Sequence, residues 1–145
     1  MVKKTILFIE DNPDDVEITL RGFKKGGLTN EVIVLRDGQE AIDYINNKDR
    51  EKHPVPGLIL LDINLPKVDG IEVLEYLKKD VEFKKVPVIM LTASQKDEDV
   101  ADSYELGAMK YLIKPVSFDS FLEIVRLIKM YWFLEIEPPI NKGEE

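Results

Sequence analysis

Apolar and polar positions follow two rhythms along this chain. Short aliphatic runs stand at residues 5–9, 32–35, 58–61, 86–91 and 109–113. The run Leu58 to Leu61 is unbroken and bounded by breakers, which predicts a strand buried on both faces, as in the middle of a parallel sheet, and the other runs read as its companion strands. Between them, apolar residues recur at helical spacing: Val16, Leu20 and Phe23; Ala41, Ile42 and Ile45; Ile71, Val73, Leu74 and Leu77. Asn12-Pro13 predicts a capped helix start, and Gly26-Gly27 predicts its end. Asp37-Gly38 and Asp69-Gly70 introduce two further helices, and residues 46–56 form a polar, proline-containing loop. Asp97 to Leu106 reads as a helix closed by Gly107, and Ser117 caps a last helix reaching about Leu134.

Five repeats of strand then helix predict an α/β fold, a parallel sheet with right-handed crossovers and helices on both faces. A Rossmann-like half and a flavodoxin-like order both fit five strands. The first strand-to-helix loop separates them, because Glu10-Asp11-Asn12-Pro13 lacks the glycines that a dinucleotide pyrophosphate requires. It is also acidic, which disfavours an uncompensated flavin phosphate. The expected fold is flavodoxin-like: five parallel strands in the order 2-1-3-4-5, five flanking helices, and a ligand crevice between strands one and three. No linker or internal repeat divides the chain. Residues 1–134 are expected to form one domain, and residues 135–145, with Pro138-Pro139 and several acids, an extended and mobile tail.

Composition narrows the function. The 145 residues are 44% hydrophobic, enough for one real core. There is no cysteine, which excludes disulfides and thiolate metal sites. No signal-peptide pattern stands at the start, and no apolar segment approaches the roughly 20 residues that span a bilayer. The net charge of −8 disfavours direct contact with nucleic acid. A cytoplasmic chain with no membrane insertion is the expectation.

The predicted strand order brings chemistry together. Glu10 and Asp11 leave strand one beside Asp62, which leaves strand three. Crowded carboxylates repel, so one would have a raised pKa unless a cation intervenes. An oxygen-only ligand set points to a hard cation, and magnesium suits a shallow site that keeps several waters. Taken singly, each acid could instead cap a turn. Thr92 ends strand four and Lys114 ends strand five, and both would face the same crevice. A carboxylate nucleophile, a cation, a lysine and a hydroxyl are the parts needed to accept a phosphoryl group. Three carboxylates, one divalent cation and one lysine also sum to neutrality.

These residues resemble a response-regulator receiver domain of two-component signalling. The matching segments are Ile6 to Asn12, Leu60 to Pro66, Val88 to Ala93 and Tyr111 to Pro115, in the family's order and spacing. The resemblance implies that Asp62 is the phosphoacceptor. It implies that magnesium is held by Asp11 and Asp62, by the Asn64 backbone carbonyl, and by Glu10 through water. Thr92 would bind a phosphoryl oxygen on activation, Lys114 would pair with another, and Tyr111 would act with Thr92 as the switch. A cis Lys114-Pro115 bond is also implied. Glu10 stands where many relatives have aspartate. Asn64 and Ser94 stand where the family tunes dephosphorylation. The implied function is a signalling domain, not a metabolic enzyme, that catalyses its own phosphorylation and dephosphorylation.

The phosphoryl donor would be a sensor histidine kinase or a histidine phosphotransfer protein. The chain's only histidine, His53, lies beside Pro54 in a polar loop and reads as a surface residue. On the last helix, Phe118, Phe121, Leu122, Val125, Ile128 and Trp132 form one apolar stripe, and Ile124, Leu127, Tyr131 and Leu134 form another. The second stripe suits the tail, a neighbouring helix or a dimer interface. Asn12 to Glu17, Tyr131-Trp132-Phe133 and Glu137-Pro138-Pro139 are similar to single-domain phytochrome-associated response regulators. That implies a homodimer through the face of the fourth helix, fifth strand and fifth helix. A haloacid-dehalogenase-type phosphatase would instead carry D-x-D after its first strand, and a phosphorylation-independent interaction domain would not need the five site residues.

Overall fold

The computed structural model describes residues 4–115 and 117–136, the side chains of 131–136 excepted. Strands β1 (Ile6–Ile9), β2 (Val32–Leu35), β3 (Leu58–Leu61), β4 (Val88–Thr92) and β5 (Lys110–Ile113) alternate with five helices. These are α1 (Pro13–Lys25), α2 (Gly38–Asn46), α3 (Gly70–Lys79), α4 (Asp97–Glu105) and α5 (Phe118–Ile136). Every strand pair is parallel, and the order is β2-β1-β3-β4-β5. The flavodoxin-like expectation holds.

Helix starts have local causes. The Asn12 side chain accepts from the backbone N–H groups of Asp14 at 2.9 Å and Asp15 at 3.2 Å, and Pro13 opens α1. Asp37 accepts from Glu40 N–H at 2.8 Å, and Asp69 from Glu72 N–H at 3.0 Å. Each such cap contributes about 1 kcal/mol. No side chain caps α4; its first turn instead carries Asp97, Glu98 and Asp99, which the positive end of the helix favours.

Successive strand residues point to opposite faces, so the sheet carries two cores. Leu7, Ile9, Ile59, Leu61, Val88 and Met90 pack with residues of α2 and α3. Ile6, Phe8, Leu58, Leu60, Ile89 and Leu91 pack with α1 and α5. β1 and β3 are buried at every residue, which is why their sequences are continuous apolar runs. At the sheet edge, β2 is only half-buried throughout.

The α1–α5 contact corrects one sequence expectation. Gly22 admits the Phe121 ring so closely that a Cβ would stand 2.6 Å from it. Phe23 meets that ring edge-on at 5.9 Å. Among the described side chains of α5, the buried ones are Phe121, Ile124, Val125 and Ile128, one stripe at i, i+3, i+4 and i+7. Ile124 thus belongs to the core face and not to a second stripe, whereas Phe118 is 48% exposed. The expected tail begins at Glu135, but α5 continues through Ile136; the side chains of Tyr131, Trp132 and Leu134, and the rest of the expected tail from residue 137 onward, lie outside the described residues.

His53 is a second correction. It is half-buried rather than a free surface residue, because its ring packs edge-on against Tyr44 at 5.2 Å. The loop that carries it is pinned by Arg50, which donates to the carbonyls of Ile45, Asn47 and His53 and to Glu82.

Candidate functional site

Backbone pairing continues past the strands and fixes where the polar side chains emerge. Glu10 N–H donates to Leu35 O at 2.9 Å, Asp62 N–H to Ile9 O at 3.1 Å, and Lys114 N–H to Thr92 O at 2.9 Å. Glu10, Asp62 and Lys114 therefore leave β1, β3 and β5 at one level, the carboxyl edge of the sheet. A cavity of about 510 Å3 opens there, with Glu10, Asp11, Asp15, Asp62, Asn64 and Lys114 in its wall.

The Lys114 ammonium is the hub. Its Nζ lies 2.5 Å from Glu10 Oε1, 2.8 Å from Asp15 Oδ2 and 3.2 Å from Asp62 Oδ2. Burial pulls the Lys114 pKa down, but hydrogen bonds to Asp15 and Glu10 and the charge of Asp62 outweigh it and hold the group above the usual lysine range. Lys114 stays charged through neutral pH. The Lys114-Pro115 bond is cis, as the resemblance implied.

Carboxylates surround this cation unequally. Glu10 is fully buried and Asp62 nearly so, while Asp11 is exposed. Glu10 is thus not a solvated turn residue. Burial pushes its pKa from 4.5 up to about 7; the Lys114 hydrogen bond opposes that rise, and the Asp62 charge adds to it. One carboxylate oxygen each from Glu10, Asp11 and Asp62 lies within 4.8 Å of the others. Three hard oxygen donors at that spacing fit a divalent cation. Asn64 is exposed and lines the same cavity, and its N–H donates to Asp62 Oδ1 at 3.2 Å.

Two expected residues stand back from the cavity. Thr92 is fully buried, and its Oγ1 accepts the Ser94 N–H at 3.3 Å, so Ala93 rather than Thr92 forms the wall. Tyr111 is half-buried, and its hydroxyl donates to Ser94 O at 2.9 Å. Both of these expected switch residues thus bond to Ser94, whose hydroxyl also donates to Asp99 at 2.5 Å.

Asp15 is the residue that the sequence reading missed. In the sequence it passes for one of the acids that favour a helix start. A signal was present, however: it follows Asp11 by four residues on a capped first turn, which returns it to the same edge. It also corrects the expected charge balance. Counted formally, Asp15 beside Glu10, Asp11 and Asp62 tips the balance to net negative against Lys114 and a divalent cation, and the raised Glu10 pKa offsets part of that excess.

The raised Glu10 pKa has a measurable consequence. Between 4.5 and about 7 the folded chain holds a proton that the unfolded chain has lost. This group's contribution to stability is therefore present below 4.5 and is lost as pH rises through about 7. With chelator present, lowering pH from the upper to the lower end of that window should raise the melting temperature of the wild type relative to Glu10→Gln. A pH-independent difference between the two would refute the burial argument.

The response regulator receiver domain family matches residues 6–126. The response regulator Rcp1 of Synechocystis sp. is 37% identical over 137 residues, covering 94% of this chain and 93% of Rcp1. Its Mn2+-bound crystal structure superposes with a TM-score of 0.75 over 90% of this chain and 95% of that one, at 38% identity. The phosphorylated cyanobacterial phytochrome response regulator RcpA gives a TM-score of 0.77 at 34% identity, covering 92% of this chain and 96% of that one. The probable methanogenesis regulatory protein FilR2 of Methanothrix harundinacea is 39% identical over 127 residues, 88% of this chain and 82% of FilR2.

Proposed function

The chain belongs to the response-regulator receiver family, whose members are phosphorylated on aspartate in two-component signalling, and from that premise we propose that Asp62 is its phosphoacceptor. The observation that carries this reading is the Lys114 ammonium, 3.2 Å from Asp62 Oδ2 at the carboxyl edge of the sheet. An Asp62 oxygen attacks the phosphorus of a phosphohistidine on a sensor kinase or phosphotransfer protein. The new O–P bond forms as the N–P bond breaks, and the imidazole nitrogen keeps the bonding pair. Lys114 neutralises charge on the phosphoryl oxygens. Asp11, Asp62, the Asn64 carbonyl and, through water, Glu10 would hold magnesium, which when bound supplies further neutralisation of those oxygens. Water later cleaves the acyl phosphate, so the domain catalyses both its own loading and its own unloading.

Thr92 and Tyr111 form the switch in this reading. Phosphoryl oxygens draw the Thr92 hydroxyl from its Ser94 contact, and Tyr111, bonded to the same residue, responds. The receiver in this reading runs to the end of α5 at Ile136. The chain works in the cytoplasm without contacting nucleic acid or entering a membrane; among the described residues, no helix is long and apolar enough to cross one.

The test is labelling by acetyl phosphate with magnesium. Wild type should take up one phosphoryl group and Asp62→Asn none; unchanged labelling of Asp62→Asn would remove Asp62 from the role.

Output runs through a homodimer of the α4–β5–α5 face. Tyr104, Met109 and Ile113 are exposed there, at 49%, 38% and 36%. Sedimentation at micromolar concentration should show a dimer that Ile113→Glu converts to monomer. A monomeric wild type would count against it.

A further inference from the structure

An ammonium offers three donors, and Lys114 directs all three at carboxylates. The longest of its contacts is the one to Asp62, the proposed acceptor. A phosphoryl group arriving there brings several new acceptor oxygens: the long Asp62 contact can pass to one of them, and a second oxygen reaches the ammonium only if Glu10 or Asp15 yields. Glu10 is a poor candidate: its side chain is 0% exposed and would be left buried without its cation. The Asp15 side chain is 31% exposed, so water can replace the ammonium there. Asp15 also stands outside the cation-binding trio of Glu10, Asp11 and Asp62. Its backbone is held by the Asn12 cap, which fixes its carboxylate at the cavity rim.

We propose that Asp15 is a positioning residue that holds Lys114 at the rim and competes with the phosphoryl oxygens for it, restraining the loading of Asp62. The proposal rests on the reading of Asp62 as acceptor. Once displaced, the Asp15 carboxylate remains in the cavity wall and repels the incoming anion. The restraint therefore scales with the negative charge of the donor. That charge dependence separates competition for Lys114 from a merely structural part in α1.

The experiment compares two small donors at neutral pH: acetyl phosphate, a dianion, and phosphoramidate, which carries less net negative charge. In both, the Asp62 oxygen bonds phosphorus as the bond to the leaving group breaks, releasing acetate or ammonia. Asp15→Asn should load from acetyl phosphate about tenfold faster than wild type, and from phosphoramidate by a smaller factor. Added salt should shrink the difference, and Asp15→Glu should restore the wild-type ratio between donors. Melting curves of each variant confirm that rates are compared between folded proteins, and Asp15→Ala repeats the comparison with the carboxylate truncated. Equal acceleration from both donors, or none while Asp62 still labels, overturns the proposal. A wild type that does not label at Asp62 overturns the acceptor reading itself, and this proposal with it.

Discussion

Lys114→Met is expected to slow phosphoryl acceptance by about a hundred- to a thousandfold and to destabilise the cation-free fold by about 3–5 kcal/mol at neutral pH. Both effects have one cause. The ammonium is the cation that Glu10, Asp15 and Asp62 share, with side-chain exposures of 0%, 31% and 6%. Methionine fills much of the same volume but leaves Glu10 and Asp62 facing each other in a poorly solvated wall. A buried carboxylate that loses its partner is destabilising by several kcal/mol unless it takes up a proton. The stability loss should therefore shrink as pH falls and Glu10 becomes neutral. It should grow at higher pH, where Glu10 must ionise.

In the proposed transfer to Asp62, the transition state would lose the same cation. Removing one well-placed donor of this kind typically costs a factor of 10² to 10³ in rate. Urea denaturation across pH with chelator present, together with acetyl-phosphate labelling rates, measures both effects. Arginine should restore part of the stability and little of the rate, because its planar fork does not reproduce a compact ammonium. A stability loss independent of pH would show that Lys114 acts by packing rather than by charge.

The parts of this site that were legible in the sequence are those that strand order alone places. Asp62 follows an unbroken aliphatic run, Glu10-Asp11 the apolar run Ile6 to Ile9, and Lys114 the mixed strand Lys110 to Ile113. A parallel sheet brings the carboxyl ends of neighbouring strands to one level. Side-chain direction was not legible. Thr92 ends β4 on schedule, yet its hydroxyl lies under the Ser94 N–H, because a strand end leaves open which face its last residue takes. Asp15 was hidden for a related reason: acids in a first helical turn are common as dipole partners, and only tertiary contact shows that this one reaches Lys114. On α5, the apolar residues outnumber those that one face can bury. The choice between Leu122 and Ile124 for the core depends on how the helix rolls against Gly22 and Phe23. The glycines after Asp37 and Asp69 announced helix starts correctly, but the close backbone approach behind each could not be read from a dipeptide.

That close approach leads to the other large effect. Gly70→Ala is expected to destabilise the fold by about 3 kcal/mol and to slow Asp62 loading by about a hundredfold. A Cβ at Gly70 would stand 2.0 Å from Asp62 O and 2.6 Å from the Ile63 Cα. Ordinary contact begins at 3.4 Å, and the atoms in the way are backbone, which cannot swing aside as a side chain can. Gly70 N–H also donates to Ile63 O at 2.8 Å, so the start of α3 is tied to the very peptides that must retreat. Either α3 withdraws from the sheet, with Val73, Leu74 and Leu77 losing core contacts, or the Asp62–Ile63 segment shifts by about 1 Å. A misplacement of that size at a reacting group can cost about two orders of magnitude in rate. Gly26→Ala is the control, since its Cβ would meet the Val125 side chain at 3.1 Å, far from the cavity. That variant should lose at most a little stability and load Asp62 at the wild-type rate. Urea denaturation and acetyl-phosphate labelling of both variants decide the matter. Gly70→Ala behaving like Gly26→Ala in both assays would show that α3 does not hold the acceptor segment in place.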